Sequence, residues 1–242
     1  MKPMMRTRPN FQFSPPSFER AQKDRAVPLL LLSHITMTKN GNGAFLGIDL
    51  GTQGLTTLLV DENLDVLATG EASYECIAGP PGHYEQRPSD WERALQLALE
   101  EIEPISSVRT ILGIGISGQM HGHCLVNKEN QLACDTARLW CDARNEEEAQ
   151  ELSNLFQSKI PKRSTIARWL WTIRNRDSNL VENVDYLTTP AGWLHLKLTG
   201  RRILGTFQSR SLSPPPTLTL TSFEQLFDKE LGKPLACFQL MR

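Results

Sequence analysis

Three short runs of strand-forming residues, set apart by two tight polar turns, fill Phe45 to Gly70 and constrain everything built around them. The first, Phe45-Leu46-Gly47-Ile48-Asp49-Leu50, meets a connection, Gly51-Thr52-Gln53-Gly54, short enough only for a reversal, and Leu55 to Val60 returns as a hairpin. A second turn at Asp61-Glu62-Asn63 leads into Val66-Leu67-Ala68-Thr69-Gly70, so the pattern predicts a three-stranded meander. After the loop Gly79-Pro80-Pro81-Gly82, Trp91, Ala94, Leu95, Ala98, Leu99 and Ile102 recur at helical spacing, with Ser89 and Glu92 placed as a capping box. Ile111 to Ile116 then reads as a buried strand, and Cys124-Leu125-Val126 and a segment ending at Leu139-Trp140 as further extended pieces. Helices are expected near Glu146 to Phe156, around Ile166, Trp169, Leu170 and Ile173, and from Trp193 to Leu198 before Gly200, with a short strand at Asp185-Tyr186-Leu187. Strands on either side of a helix imply a layered α/β body.

The flanks are different. The first 36 residues hold six Lys or Arg against Glu19 and Asp24, with five prolines and no period; they read as a dispensable leader before a start at Met37, and residues 1–43 as a disordered basic leader to the folded body. The run Val27 to Leu32 is too short for a signal-peptide core, which disfavours secretion. Beyond Gly205 the periodicity collapses into Pro214-Pro215-Pro216, and residues 206–242 read as an irregular tail. With 26 Lys+Arg against 27 Asp+Glu the net charge is −1, so no overall field favours nucleic acid or an anionic membrane. Five irregularly spaced cysteines suit buried apolar side chains in a reducing compartment and place the chain in the cytoplasm.

Two glycine-rich turns carry the chemistry. In Asp49-Leu50-Gly51-Thr52-Gln53-Gly54 an acid ends a strand just before a turn whose amides could form an anion nest, with Thr52 and Gln53 as added donors and Asp49 holding Mg²⁺. An ordinary hairpin explains the same residues. Gly113-Ile114-Gly115-Ile116-Ser117-Gly118 matches the dinucleotide fingerprint, with Asp135 at a suitable distance, but no helix opens at its last glycine. His121, His123 and Cys124 leave zinc as a minor alternative to a hydrogen-bonded histidine pair.

Taken together, Gly47-Ile48-Asp49-Leu50-Gly51-Thr52, Ile116-Ser117-Gly118-Gln119-Met120-His121-Gly122 and Leu139-Trp140-Cys141-Asp142-Ala143-Arg144 resemble the FGGY carbohydrate kinases, closest in their xylulokinase branch. Pro88-Ser89-Asp90-Trp91 and Trp193 to Gly200 support the resemblance, which covers Ala44 to about Gly205. It implies a ribonuclease-H-like domain of the actin-like ATPase kind, with a mixed sheet and flanking helices, forming the sugar-binding half (44–205) of a two-domain kinase. ATP and Mg²⁺ are then the cofactors: Asp49 resembles the family's metal-associated aspartate, and Gly51, Thr52 and Gln53 its phosphate-facing turn. Gln119, Met120 and His121 correspond to the stretch facing the sugar, Trp140 to an apolar wall, and Asp142 with Arg144 to a bracing or substrate-contacting pair. The Met-His pair favours a ketopentose.

One part of the family pattern is missing. The resemblance places a proton-accepting aspartate just past the first domain, where this sequence reads Gly205-Thr206-Phe207-Gln208-Ser209-Arg210-Ser211. Loss of a general base costs roughly 10²- to 10⁴-fold in rate. The expectation is a chain truncated or shifted in frame after its sugar-binding half, its irregular tail standing where the nucleotide-binding domain belongs. A homodimer or a separately encoded second domain are the partners to seek, besides the sugar. A non-catalytic sugar-binding protein is the alternative function, and an unfolded remnant the third.

Overall fold

The computed structural model describes residues 42–203. The basic leader, the tail and the segment Gly205 to Ser211 lie outside the described residues. In chain order the elements are β1 (Gly43–Leu50), β2 (Gly54–Asp61), β3 (Val66–Ser73), β4 (Ile77–Ala78), β5 (Tyr84–Gln86), α1 (Pro88–Ser106) and β6 (Thr110–Gly118). There follow β7 (Cys124–Val126), β8 (Ala137–Arg138), α2 (Glu146–Leu155), α3 (Thr165–Asn175), α4 (Ser178–Asn183), β9 (Tyr186–Thr188) and α5 (Pro190–Thr199).

The meander is present: β1, β2 and β3 pair antiparallel in sequence. Strand β6 adds to the other side of β1 in parallel, giving a mixed sheet of order β3-β2-β1-β6. Two smaller sheets, β4-β5-β8 and β7-β9, are set beside it. Alternation along β1 sends Leu46, Ile48 and Leu50 into the core and leaves Phe45 and Asp49 exposed. On the covered face these side chains join Leu55, Leu59 and the α1 residues Trp91, Ala94, Ala98 and Ile102 in one buried cluster. Each such large apolar group contributes about 1.5–3 kcal/mol by leaving water.

Helix α1 sits unusually close to the sheet. A Cβ added at Gly70 on β3 would stand 2.1 Å from the Ala98 carbonyl oxygen. Thr57 on β2 donates its hydroxyl at 3.1 Å to that same oxygen, tying strand to helix. The expected capping box is not made: the helix begins at Pro88 with Arg87 as N-cap and no side-chain cap. Proline at the first position needs no amide acceptor, so the start moves upstream of Ser89. Glu92 is thereby free to accept from Trp193 Nε1 at 3.0 Å and to pair with Lys197, which joins α1 to α5.

Helix α5 begins with Thr189, whose hydroxyl accepts from the Gly192 amide at 3.2 Å, and ends at Gly200, left-handed at φ 69°. Strands β4 and β5 and helix α4 were not expected from the sequence. They are two to six residues long and too short to show a period. Among the described residues no helix is long and apolar enough to cross a membrane.

Candidate functional site

Strands β1 and β6 run parallel and end together, with Asp49 abreast of Ser117 and Leu50 of Gly118. The two loops singled out in the sequence therefore leave the sheet side by side, at the carboxyl ends of neighbouring parallel strands, where α/β proteins place ligands. The Gln119 amide donates to the Leu50 carbonyl at 2.7 Å, so the loops are joined at their roots.

The turn after β1 is pinned from beneath. Gly51 donates its amide to the Gly54 carbonyl at 2.9 Å, and the Tyr74 hydroxyl reaches the carbonyls of both glycines, at 2.5 and 3.0 Å. Burial and the nearby Asp49 charge raise the Tyr74 pKa, which keeps the hydroxyl a donor. The Gly51 amide is thus engaged within the turn. Among the described residues nothing accepts from the amides of Thr52 and Gln53. Asp49, Thr56 and Ser117 stand level across three strands and share the sheet face that Asp49 exposes. That set is all oxygen and half open to water, as a magnesium ion that keeps several waters requires.

Gln86, at the end of β5, joins the two loops and was not anticipated. Fully buried, it donates from Nε2 to the Thr52 carbonyl at 2.7 Å, and its Oε1 accepts from Gln119 Nε2 at 2.8 Å and Trp91 Nε1 at 3.0 Å. Gln119 is itself 8% exposed, and its remaining amide oxygen has no partner within the described residues. On the far side of the turn the Trp140 indole donates to the Thr52 hydroxyl at 3.3 Å. Thr52, Gln119 and Trp140 are therefore gathered into one place. Met120 and Trp140 keep 55% and 46% of their surface open, enough to meet a ligand.

His121 adopts φ 58°, in the left-handed region, within a tight turn closed by the Gly122 amide donating to the Met120 carbonyl at 2.8 Å. Gly122 lets this turn lie against α5: a Cβ there would stand 2.7 Å from the Pro190 ring. Burial and the charges of Arg168 and Arg163 lower the His121 pKa. His123 is buried, with neither ring nitrogen partnered, and burial with the charges of Arg138 and Arg168 keeps it neutral far below the usual histidine range. Among the described residues no group of three or more histidine, cysteine or acidic side chains converges, which removes the zinc alternative. Gly113 to Gly118 lies wholly within β6, so the dinucleotide alternative lacks its helix.

Asp142 braces the Trp140 loop. It is 1% exposed and accepts from Arg138 Nη2 at 2.6 Å, Arg144 Nη2 at 2.7 Å and the Tyr84 amide at 3.0 Å. Burial alone would raise its pKa, but the Arg144 and Arg138 bonds outweigh that and hold it at about 2. Arg144 also pairs with Glu85, and the indole of Trp171 lies against Arg138 and Arg144 at 4.3 and 4.9 Å. Arg168 on α3 completes the frame, donating to the carbonyls of His121 and of Trp140, the latter at 2.7 Å. None of Gln86, Arg138, Arg168 or Trp171 had a sequence signal, since each is an isolated residue whose partners are distant in the chain.

Comparison with known proteins shows the family. The family description "FGGY family of carbohydrate kinases, N-terminal domain" matches residues 44–209, and the chain belongs to that family. The xylulose kinase of Bacillus subtilis (strain 168) is 31% identical over 165 residues, 64% of this chain and 33% of the relative. The xylulose kinase of Klebsiella pneumoniae is 31% identical over 163 residues, with the same coverage of each. A crystal structure of a xyloylose kinase from Brucella ovis, 30% identical, superposes with a TM-score of 0.60 over 65% of this chain and 34% of that one. A xylulose kinase from Rhodospirillum rubrum, at 19% identity, shares the fold with a TM-score of 0.67 over 80% of this chain and 42% of that one. The chain spans about a third of the length of the curated relatives it matches.

Proposed function

We propose that residues 44–205 form the sugar-binding half of an ATP-dependent carbohydrate kinase of xylulokinase type, acting on D-xylulose or a similar ketopentose. The observation that carries this reading is the Gln86 bridge, which makes one wall of the phosphate turn and the sugar loop. Gln119 would donate and accept toward the polyol hydroxyls. Met120 and Trp140 would cover its C–H faces, with Asp142 acting from behind through Arg138 and Arg144. His121, kept neutral, would supply an unprotonated ring nitrogen as a hydrogen-bond partner.

The amides of Thr52 and Gln53 would take phosphate oxygens, and Asp49 would hold Mg²⁺ through water. When bound, the ion would neutralise charge on the phosphates during transfer of the γ-phosphoryl group to the terminal hydroxyl. A reducing cytoplasm suits the free cysteines at positions 76, 124, 134 and 141.

A second reading, a non-catalytic sugar-binding protein, is favoured by the lack of any carboxylate between Gly205 and Ser211. Calorimetry with D-xylulose followed by a coupled assay with ATP and Mg²⁺ decides between them. Sugar binding with phosphorylation that Asp49→Asn abolishes supports the kinase. Binding without turnover supports the second reading, and no binding removes both.

A further inference from the structure

Arg168 has no exposed surface and, among the described residues, no carboxylate in ion-pair contact. Burial and the Arg138 charge bring its pKa down to about 9, still charged at neutral pH. A buried guanidinium normally needs an anion. Here its two terminal nitrogens point at backbone carbonyls instead, one from each loop that faces the candidate sugar site: His121 and Trp140. The helix that carries it is tied to β8 as well, since the Arg168 carbonyl accepts from Arg138 Nη1 at 3.4 Å.

The carbonyls it holds are consequential ones. His121 sits at positive φ, a conformation that costs a non-glycine residue stability and persists only when its surroundings enforce it. Trp140 presents a half-exposed indole whose direction depends on its backbone. We propose that Arg168 is a positioning residue that sets the separation of the Met120-His121 turn from the Trp140 wall, and with it the affinity for the polyol. The inference rests on the reading that these loops face a sugar.

The test uses the full 242-residue chain. Hydrogen-exchange mass spectrometry and calorimetry with D-xylulose would compare the wild type with Arg168→Met, Arg168→Lys and Ile166→Val. Arg168→Met is expected to raise exchange in residues 119–122 and 139–144 together and to weaken binding by roughly tenfold or more, as loss of two charge-assisted bonds implies. Arg168→Lys, whose ammonium keeps three donors, is expected to restore binding to within about threefold. Ile166→Val, which trims a buried side chain of the same helix, is expected to lower the melting temperature of the chain and leave affinity unchanged. Should Arg168→Met fail to fold, Arg168→Gln is read in its place. Equal affinity in wild type and Arg168→Met, or increased exchange in one loop alone, overturns the inference and leaves the sugar reading intact. A wild type that binds no polyol overturns both.

Discussion

At Asp142 a single carboxylate meets two guanidinium groups and two backbone amides, all with little access to water. Replacing it by asparagine keeps the shape but leaves Arg138 and Arg144 as charges without their main counter-ion. Asp142→Asn is expected to cost about 3–5 kcal/mol, read from urea unfolding, because removing one partner of a buried pair leaves the other uncompensated. The pH dependence follows from the direction of the shift. The folded pKa of about 2 lies below the ordinary 3.8, so the pair's stabilisation is complete above pH 3.8 and is lost as pH falls toward 2. Asp142 with Arg144 was legible in the sequence as a pair two residues apart. Arg138, which makes the shorter contact, was not: it lies in a two-residue strand with no motif to mark it.

Between elements, the seat of α1 on the meander depends on the absence of one side chain. Gly70→Ala would drive a methyl into the Ala98 carbonyl, backbone that cannot rotate away. The helix must move off the sheet, opening the cluster around Trp91 and Leu59. A loss of about 3 kcal/mol is expected, at the upper end of the usual cost of overpacking, and thermal unfolding followed by circular dichroism measures it. Thr57→Val removes the hydroxyl that meets the same carbonyl and should cost about 1 kcal/mol, the net worth of one ordinary hydrogen bond. The meander and α1 could be read from periodicity, which is local. The pairing of Glu92 across the core with Trp193 and Lys197, in place of the expected capping box, could not be read there.

For the molecule as a whole, histidine is the most accessible titration. His123 is held neutral in the fold by burial and the Arg138 and Arg168 charges, whereas in the unfolded chain it takes up a proton near pH 6.5. Below that pH the unfolded state binds more protons than the folded one, so stability is lost as pH falls. His121 adds to this with a shift in the same direction. Melting temperature is expected to decline from pH 6.5 downward, and His123→Leu to flatten that decline. An unchanged slope in the variant would place the acid sensitivity elsewhere.

Strand order in the meander, the helical faces, the glycine turns and the family motifs are properties of neighbours along the chain. Side-chain alternation, helical spacing and turn chemistry express themselves within a few residues, and the sequence alone sufficed for them. What brings Thr52, Gln119 and Trp140 to one place is the parallel union of β1 with β6, the Gln86 bridge and the Arg168 fork. Those contacts join residues far apart in sequence, and a lone glutamine or arginine acquires its partners only when packing removes water and presents specific carbonyls. Their assignment therefore had to wait for the tertiary structure.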